Sequence, residues 1–182
     1  MKLYTFLAEG FETVEALCVV DILRRGGVEV TTVSISDDIQ VESKQEVKVV
    51  ADKIFAECDF LDGDALFLPG GIPGTPNLKA HEGLKALLHK YNDEGKYIAA
   101  ICAAPTVLGV NGMLEGKKAT CYPGCEDELY GAEYTASDVE VDGNIITSKG
   151  MGTTIELGLK LLEILVDKTM SEEIGKAIMY LK

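Results

Sequence analysis

Short apolar runs alternate with helix-patterned segments from one end of the sequence to the other, which predicts an α/β fold: a mostly parallel central sheet with helices on both faces. Two further observations agree. Ala65-Leu66-Phe67-Leu68 is apolar throughout and stopped by Pro69-Gly70-Gly71, the pattern of a central parallel strand buried on both sides. No linker, low-complexity tract or internal repeat divides the 182 residues, so residues 1–182 read as one domain.

The elements follow in order. Lys2–Leu7 reads as the first strand, and apolar residues at Val14, Leu17, Cys18 and Ile22 predict a helix over Val14–Arg25 that Gly26-Gly27 stops. Glu29–Ser34, rich in Val and Thr, is the second strand. Val47–Val50 is a further short strand, with Gln40-Val41 available to pair with it in a hairpin. After Ala65–Leu68, the residues Leu84, Leu87, Leu88 and Tyr91 share one face of a helix over His81–Glu94, which leads to the strand Tyr97–Ile101. Pro105 can open a helix over Ala103–Asn111. Asp142-Gly143 between Val139–Val141 and Ile145–Thr147 predicts a β-hairpin. A long helix is expected over Thr153–Val166, and Ser171 is expected to cap a last helix ending at Tyr180.

Asp and Glu outnumber Lys and Arg 30 to 17, giving a formal net charge of -13. Such a chain has no electrostatic footprint for nucleic acid or anionic lipid, and neither is expected as a partner. Glu9 and Glu12 interrupt the N-terminal apolar run too soon for a signal-peptide core, and no run approaches the ~18 apolar residues of a membrane span, so a soluble, cytoplasmic protein is expected. Five cysteines, an odd number without a disulfide framework, fit free thiols in a reducing compartment.

One of those thiols is placed for chemistry. Cys102 falls where the strand ending at Ile101 gives way to a helix, beside N-terminal amides that lower a thiol's pKa and can hold a developing oxyanion. Ligands of doubly wound sheets bind beyond the carboxyl ends of the strands. There Glu9–Glu15, Gly70-Gly71, Cys102 and Lys149-Gly150-Met151-Gly152-Thr153 converge. Gly70-Gly71 allow close backbone approach, and their amides can join that of Ala103 in an oxyanion hole. Met151, between Gly150 and Gly152 ahead of a helix, offers a further anion-friendly N-terminus. Cys18 and Cys58 read as small core residues, and Cys121 and Cys125 lack the two further ligands a metal site needs, so no metal is expected. If the loop around Tyr122 borders the pocket, either Cys121 or Cys125 can resolve an oxidised Cys102.

Ala8-Glu9-Gly10-Phe11-Glu12-Thr13-Val14-Glu15-Ala16, Leu68-Pro69-Gly70-Gly71, Ala100-Ile101-Cys102-Ala103-Ala104-Pro105 and Thr147-Ser148-Lys149-Gly150-Met151-Gly152-Thr153 occur in that order over nearly the whole chain. Together they resemble the ThiJ/PfpI family, above all its Parkinson-associated deglycase branch, within the class I glutamine-amidotransferase-like superfamily. The resemblance implies a flavodoxin-like three-layer sandwich, a homodimer, and Cys102 at a strained nucleophile elbow. It also makes Glu15, rather than Glu12, the partner carboxylate, through Glu15-Ala16 and Asp21-Ile22-Leu23-Arg24-Arg25. A carboxyl group beside a thiolate in a dry cleft tends to stay protonated and can donate a hydrogen bond to the sulfur.

The departures narrow the chemistry. The histidine that peptidase-like members carry directly after the cysteine is Ala103 here, and the branch's Thr-x-His-Pro reads Thr120-Cys121-Tyr122-Pro123. The two histidines, His81 and His89, lie outside the motifs and are expected to face water, so a protease or amidase has no Cys–His pair. A basic residue common near the family's pocket is replaced at Gln45, with Lys44 adjacent. The resemblance therefore implies glyoxalase or deglycase action on a small carbonyl substrate without a cofactor, through Cys102 and Glu15 with Gly71 and Ala103 as oxyanion donors and Gly70, Tyr122, Met151 and Gly152 around the pocket. The alternative is an oxidative-stress sensor or chaperone in which a peroxide oxidises Cys102 without turnover.

Overall fold

In the computed structural model, which describes residues 1–181, the chain runs β1 (Lys2–Leu7), α1 (Thr13–Arg25), β2 (Glu29–Ser34), β3 (Gln40–Glu42), β4 (Lys48–Val50), β5 (Lys53–Ile54), β6 (Ala65–Leu68), α2 (Gly74–Ala80) and α3 (Glu82–Asp93). It continues through β7 (Tyr97–Ile101), α4 (Pro105–Val110), β8 (Lys118–Ala119), β9 (Glu133–Tyr134), β10 (Val139–Asp142), β11 (Ile145–Ser148), α5 (Thr154–Leu165) and α6 (Lys168–Ala177). Seven strands form one sheet in the order β10-β11-β7-β6-β1-β2-β5, parallel apart from the β10–β11 hairpin. This is the flavodoxin-like α/β sandwich.

Alternation along the central strands explains the layers. Tyr4, Phe6, Leu66, Leu68, Ile98 and Ala100 point to one face, where Leu84, Leu88 and Tyr91 of α3 and Val107 and Leu108 of α4 cover them. Leu3, Ala65, Phe67, Ala99 and Ile101 point to the other, against Val19, Ile22 and Leu23 of α1 and Leu157, Leu161, Leu162 and Leu165 of α5. With both faces covered, β6 and β7 can be apolar without a solvent face. Gln40–Glu42 and Lys48–Val50 pair in a separate hairpin, with Val41 opposite Val49.

Three expectations are corrected. Ser171 does not cap the last helix: Asp167 does, its carboxylate accepting from the Met170 amide at 2.8 Å, while the buried Ser171 hydroxyl donates to the Leu159 carbonyl of α5 at 2.7 Å. The helix after Cys102 is shorter than Ala103–Asn111, because Ala103 and Ala104 turn before Pro105 starts α4. His81 does not face water as His89 does: its Nδ1 caps α3 by accepting from the Leu84 amide at 2.9 Å, and its ring lies 4.5 Å from that of Phe55. Among the described residues, no helix is long and apolar enough to cross a membrane.

Candidate active site

The carboxyl ends of β1, β6 and β7 meet at a cavity of about 380 Å³ lined by Glu12, Glu15, Lys44, Gln45, Gly71, Ile72, Cys102, Ala103, Tyr122, Cys125 and Met151. Cys102 follows β7 directly and adopts φ 64, left-handed for a side-chain-bearing residue, which costs about 1–3 kcal/mol. The turn is held from both sides. The Cys102 amide donates to the Ser148 carbonyl of β11 at 2.9 Å, and the Cys102 carbonyl accepts from the Tyr122 amide at 2.8 Å. Sharp reversal at the strand end leaves the half-buried sulfur facing the cavity.

Glu15 comes to the sulfur from α1. It sits in the helix's first turn and is 1% exposed. Its Oε2 accepts from the Gly70 amide at 2.9 Å, and its carboxyl is in hydrogen-bonding reach of Cys102. Gly70 is small by necessity, since a Cβ there would lie 2.6 Å from the Cys102 Cβ and 2.7 Å from the Glu15 Oε2. Gly71, at φ 99, would likewise drive a Cβ to 2.6 Å from both the Glu12 nitrogen and the Gly10 oxygen. The Gly70-Gly71 corner thus brings the backbone onto the thiol and the carboxyl at once.

Burial governs the electrostatics. It pushes the Glu15 carboxyl up to about 7, against hydrogen bonds from Cys102 and the Gly70 amide that favour its ionised form, while the nearby Glu12 adds to the rise. Burial also pushes the Cys102 thiol up, to about 12, helped by the charge and hydrogen bond of an ionised Glu15 and opposed by the amides of Ala103 and Gly71. Between those values the pair keeps one proton and one negative charge, which belong to the pair as a unit. The Gly70 amide draws the charge to oxygen, and the Gly71 and Ala103 amides draw it to sulfur. Those last two amides donate to nothing else among the described residues, so they are free to meet a negative oxygen formed at the sulfur.

The remaining predicted residues divide. Tyr122, 54% exposed, and Met151, 56% exposed, stand at the cavity mouth. Gly70 and Gly152 do not line it: Gly70 lies behind the sulfur with its amide committed to Glu15, and Gly152 borders an adjoining depression with Pro123 and Lys149. Met151–Thr153 form a 3₁₀ turn ahead of α5, and the Gly150 amide is used inside it on the Thr153 hydroxyl, so Met151 brings an apolar side chain to the mouth. Neither histidine lines the cavity.

Ile72 carries no signal of a pocket residue in the sequence, whereas Glu12 falls within the converging Glu9–Glu15 segment and Cys125 comes with the Tyr122 loop. Glu12 accepts from the Gln45 side-chain amide at 2.8 Å, and Gln45 in turn accepts from the Thr13 hydroxyl at 3.1 Å, so the hairpin loop after β3 forms one wall. Among the described residues no group of His, Cys, Asp and Glu could hold a metal ion. Replacing Gly70 by Ala should drive thiol and carboxyl apart, with a loss of about 1–3 kcal/mol visible in thermal melting and a fall in Cys102 alkylation rate.

Comparison with known proteins follows the same lines. The DJ-1/PfpI family model matches residues 1–164. The chain is 41% identical over 171 residues to protein DJ-1 homolog B of Arabidopsis thaliana, covering 93% of this chain but 39% of that protein, so it spans about two fifths of that relative's length. It is 32% identical over 159 residues to the glutathione-independent glyoxalase DJR-1.2 of Caenorhabditis elegans, covering 86% of this chain and 84% of that protein. The solved structure of oxidized Toxoplasma gondii DJ-1 superposes with a TM-score of 0.95 at 35% identity, covering 100% of this chain and 99% of that one.

Proposed function

The chain belongs to the DJ-1/PfpI family, and from that premise we propose that it is a cofactor-independent, cysteine-dependent enzyme for small carbonyl electrophiles, glyoxalase- or deglycase-like, with Cys102 as nucleophile and Glu15 as proton carrier. One observation carries the reading. A strained thiol, a buried carboxyl pushed to about 7 and two free amides meet at one cavity wall. The relative named as a glutathione-independent glyoxalase supports the substrate class.

For methylglyoxal the steps balance without an electron carrier. The sulfur adds to the aldehyde carbon while the proton of the Glu15–Cys102 pair passes to the aldehyde oxygen, which the Gly71 and Ala103 amides hold as charge develops on it. The Glu15 carboxylate then removes the hydrogen from that carbon and returns it to the neighbouring carbon, and the hydroxyl proton moves to the neighbouring oxygen. A thioester of lactate results. Water adds to it, the carbon–sulfur bond breaks, and the thiolate and Glu15 recover their shared proton, so methylglyoxal and one water leave as lactic acid. No peptide-bond chemistry is assigned, because no histidine faces the sulfur to protonate an amine leaving group.

The test is lactate formation from methylglyoxal without glutathione. Turnover above the buffer rate is expected, and a rate equal to buffer would overturn the proposal. A second reading, an oxidant sensor without turnover, draws on the same cavity-facing sulfur, whose two free amides can also hold sulfinate oxygens. Rapid sulfinate at Cys102 with no lactate would favour it.

A further inference from the structure

The cavity wall carries a second thiol that the proposed reaction leaves unused. Cys125 lines the cavity together with Cys102. Cys121, four positions earlier in the same C-x-x-x-C pair, does not: it is fully buried in the core below. The spacing leaves these two thiols equivalent, and the fold separates them.

The segment bearing Cys125 starts on Cys102 itself. The Tyr122 amide donates to the Cys102 carbonyl at 2.8 Å, and the Cys125 amide donates to the Tyr122 carbonyl at 3.0 Å. Tyr122, Pro123 and Gly124 between them are exposed, and Gly124 turns the backbone at φ 94. The other backbone hydrogen bonds of residues 122–126 run only to neighbours within the same loop, from the Glu128 and Leu129 amides. Cys125 itself is half-buried, packed against the core on one side and open to the cavity on the other.

We propose that Cys125 is the resolving thiol of Cys102: a hydroperoxide drives formation of an intramolecular Cys102–Cys125 disulfide across the cavity, and a dithiol reopens it. The proposal rests on reading Cys102 as an ionisable, cavity-facing nucleophile. In the first step the Cys102 sulfur attacks the peroxide's terminal oxygen, the O–O bond breaks, and the departing oxygen takes the proton of the Glu15–Cys102 pair, so Cys102 becomes a sulfenic acid as the peroxide is reduced to alcohol or water. In the second, the Cys125 sulfur attacks the Cys102 sulfur and the S–O bond breaks. The departing hydroxide takes the Cys125 thiol proton and leaves as water. A dithiol reductant then restores both thiols and is itself oxidised to a disulfide. Closure needs Cα atoms about 4.4–6.8 Å apart, and only Pro123 and Gly124 separate Cys125 from Tyr122, the residue bonded to the Cys102 carbonyl. The disulfide blocks the nucleophile reversibly and keeps it from the irreversible sulfinate.

The experiment is hydrogen peroxide in excess of the two equivalents per protein that sulfinate consumes, without reductant, followed by digestion without reduction and peptide mass spectrometry. The expected product is the Cys102 peptide joined to the Cys125 peptide, two hydrogens lighter than the separate thiols and separated again by dithiothreitol. Cys125→Ser should instead carry sulfinate at Cys102. Sulfinate in the unaltered protein to the same extent as in Cys125→Ser would overturn the assignment while leaving Cys102 reactive, as would a Cys102–Cys121 link. Cys102 left unoxidised in both proteins would overturn the nucleophile reading as well.

Discussion

Replacing Cys102 by Ser should lower kcat/KM for lactate formation from methylglyoxal at least about a thousandfold, the scale on which covalent catalysis fails without its nucleophile. The hydroxyl keeps the hydrogen-bonding size of the thiol but ionises far too weakly to attack at neutral pH. Folding should hardly change. The backbone at position 102 keeps the same φ 64 and the same ties to the Ser148 carbonyl and Tyr122 amide, so the melting temperature should move by no more than a few degrees. Activity retained within tenfold would mean that another group attacks the carbonyl.

Replacing Glu15 by Gln should have two large effects of opposite kind. Lactate formation should fall about 10²–10⁴-fold, because the amide can neither donate the proton to the aldehyde oxygen nor accept the one from carbon. Stability should rise at alkaline pH. A carboxyl raised from 4.5 to about 7 is held more tightly as the acid by the folded state, so its contribution is complete below pH 4.5 and lost as pH climbs through 7. The unaltered protein therefore bears, above pH 7, a penalty of about 3 kcal/mol that Gln lacks. The variant should melt several degrees higher at pH 8 and close to the original at pH 4.5. Equal melting temperatures at pH 8 would contradict the buried carboxylate.

Much of this arrangement is legible in the sequence because strong local signals agree with the tertiary context. Ala65–Leu68 and Tyr97–Ile101 are apolar runs with turn residues behind them, and both are central strands. Asp142-Gly143 marks its hairpin. Elements without a periodic face are not legible: α2 reads Gly-Thr-Pro-Asn-Leu-Lys-Ala, and β5, β8 and β9 are two residues each, so tertiary pairing alone defines them. Ser171 carries a capping signal, but Asp167 lies at the helix start and a buried hydroxyl can be satisfied by a neighbouring helix. At the site, motif position identifies Cys102 and Glu15. The motifs also bring Glu12, Gln45 and the Tyr122 loop near the pocket, but that Cys125 rather than Cys121 reaches its wall depends on how the loop after β8 folds, which no local pattern encodes.

The central claim is that Cys102 and Glu15 titrate as one unit that loses its first proton near pH 7 and holds one proton above it. The rate of Cys102 alkylation by iodoacetamide, followed by mass spectrometry from pH 5 to 10 in the unaltered protein and in Glu15→Gln, tests it most directly. The unaltered protein should show an ionisation near pH 7 that is missing from the variant. Identical profiles with a single step at the ordinary thiol value, ~8.5, would contradict the claim.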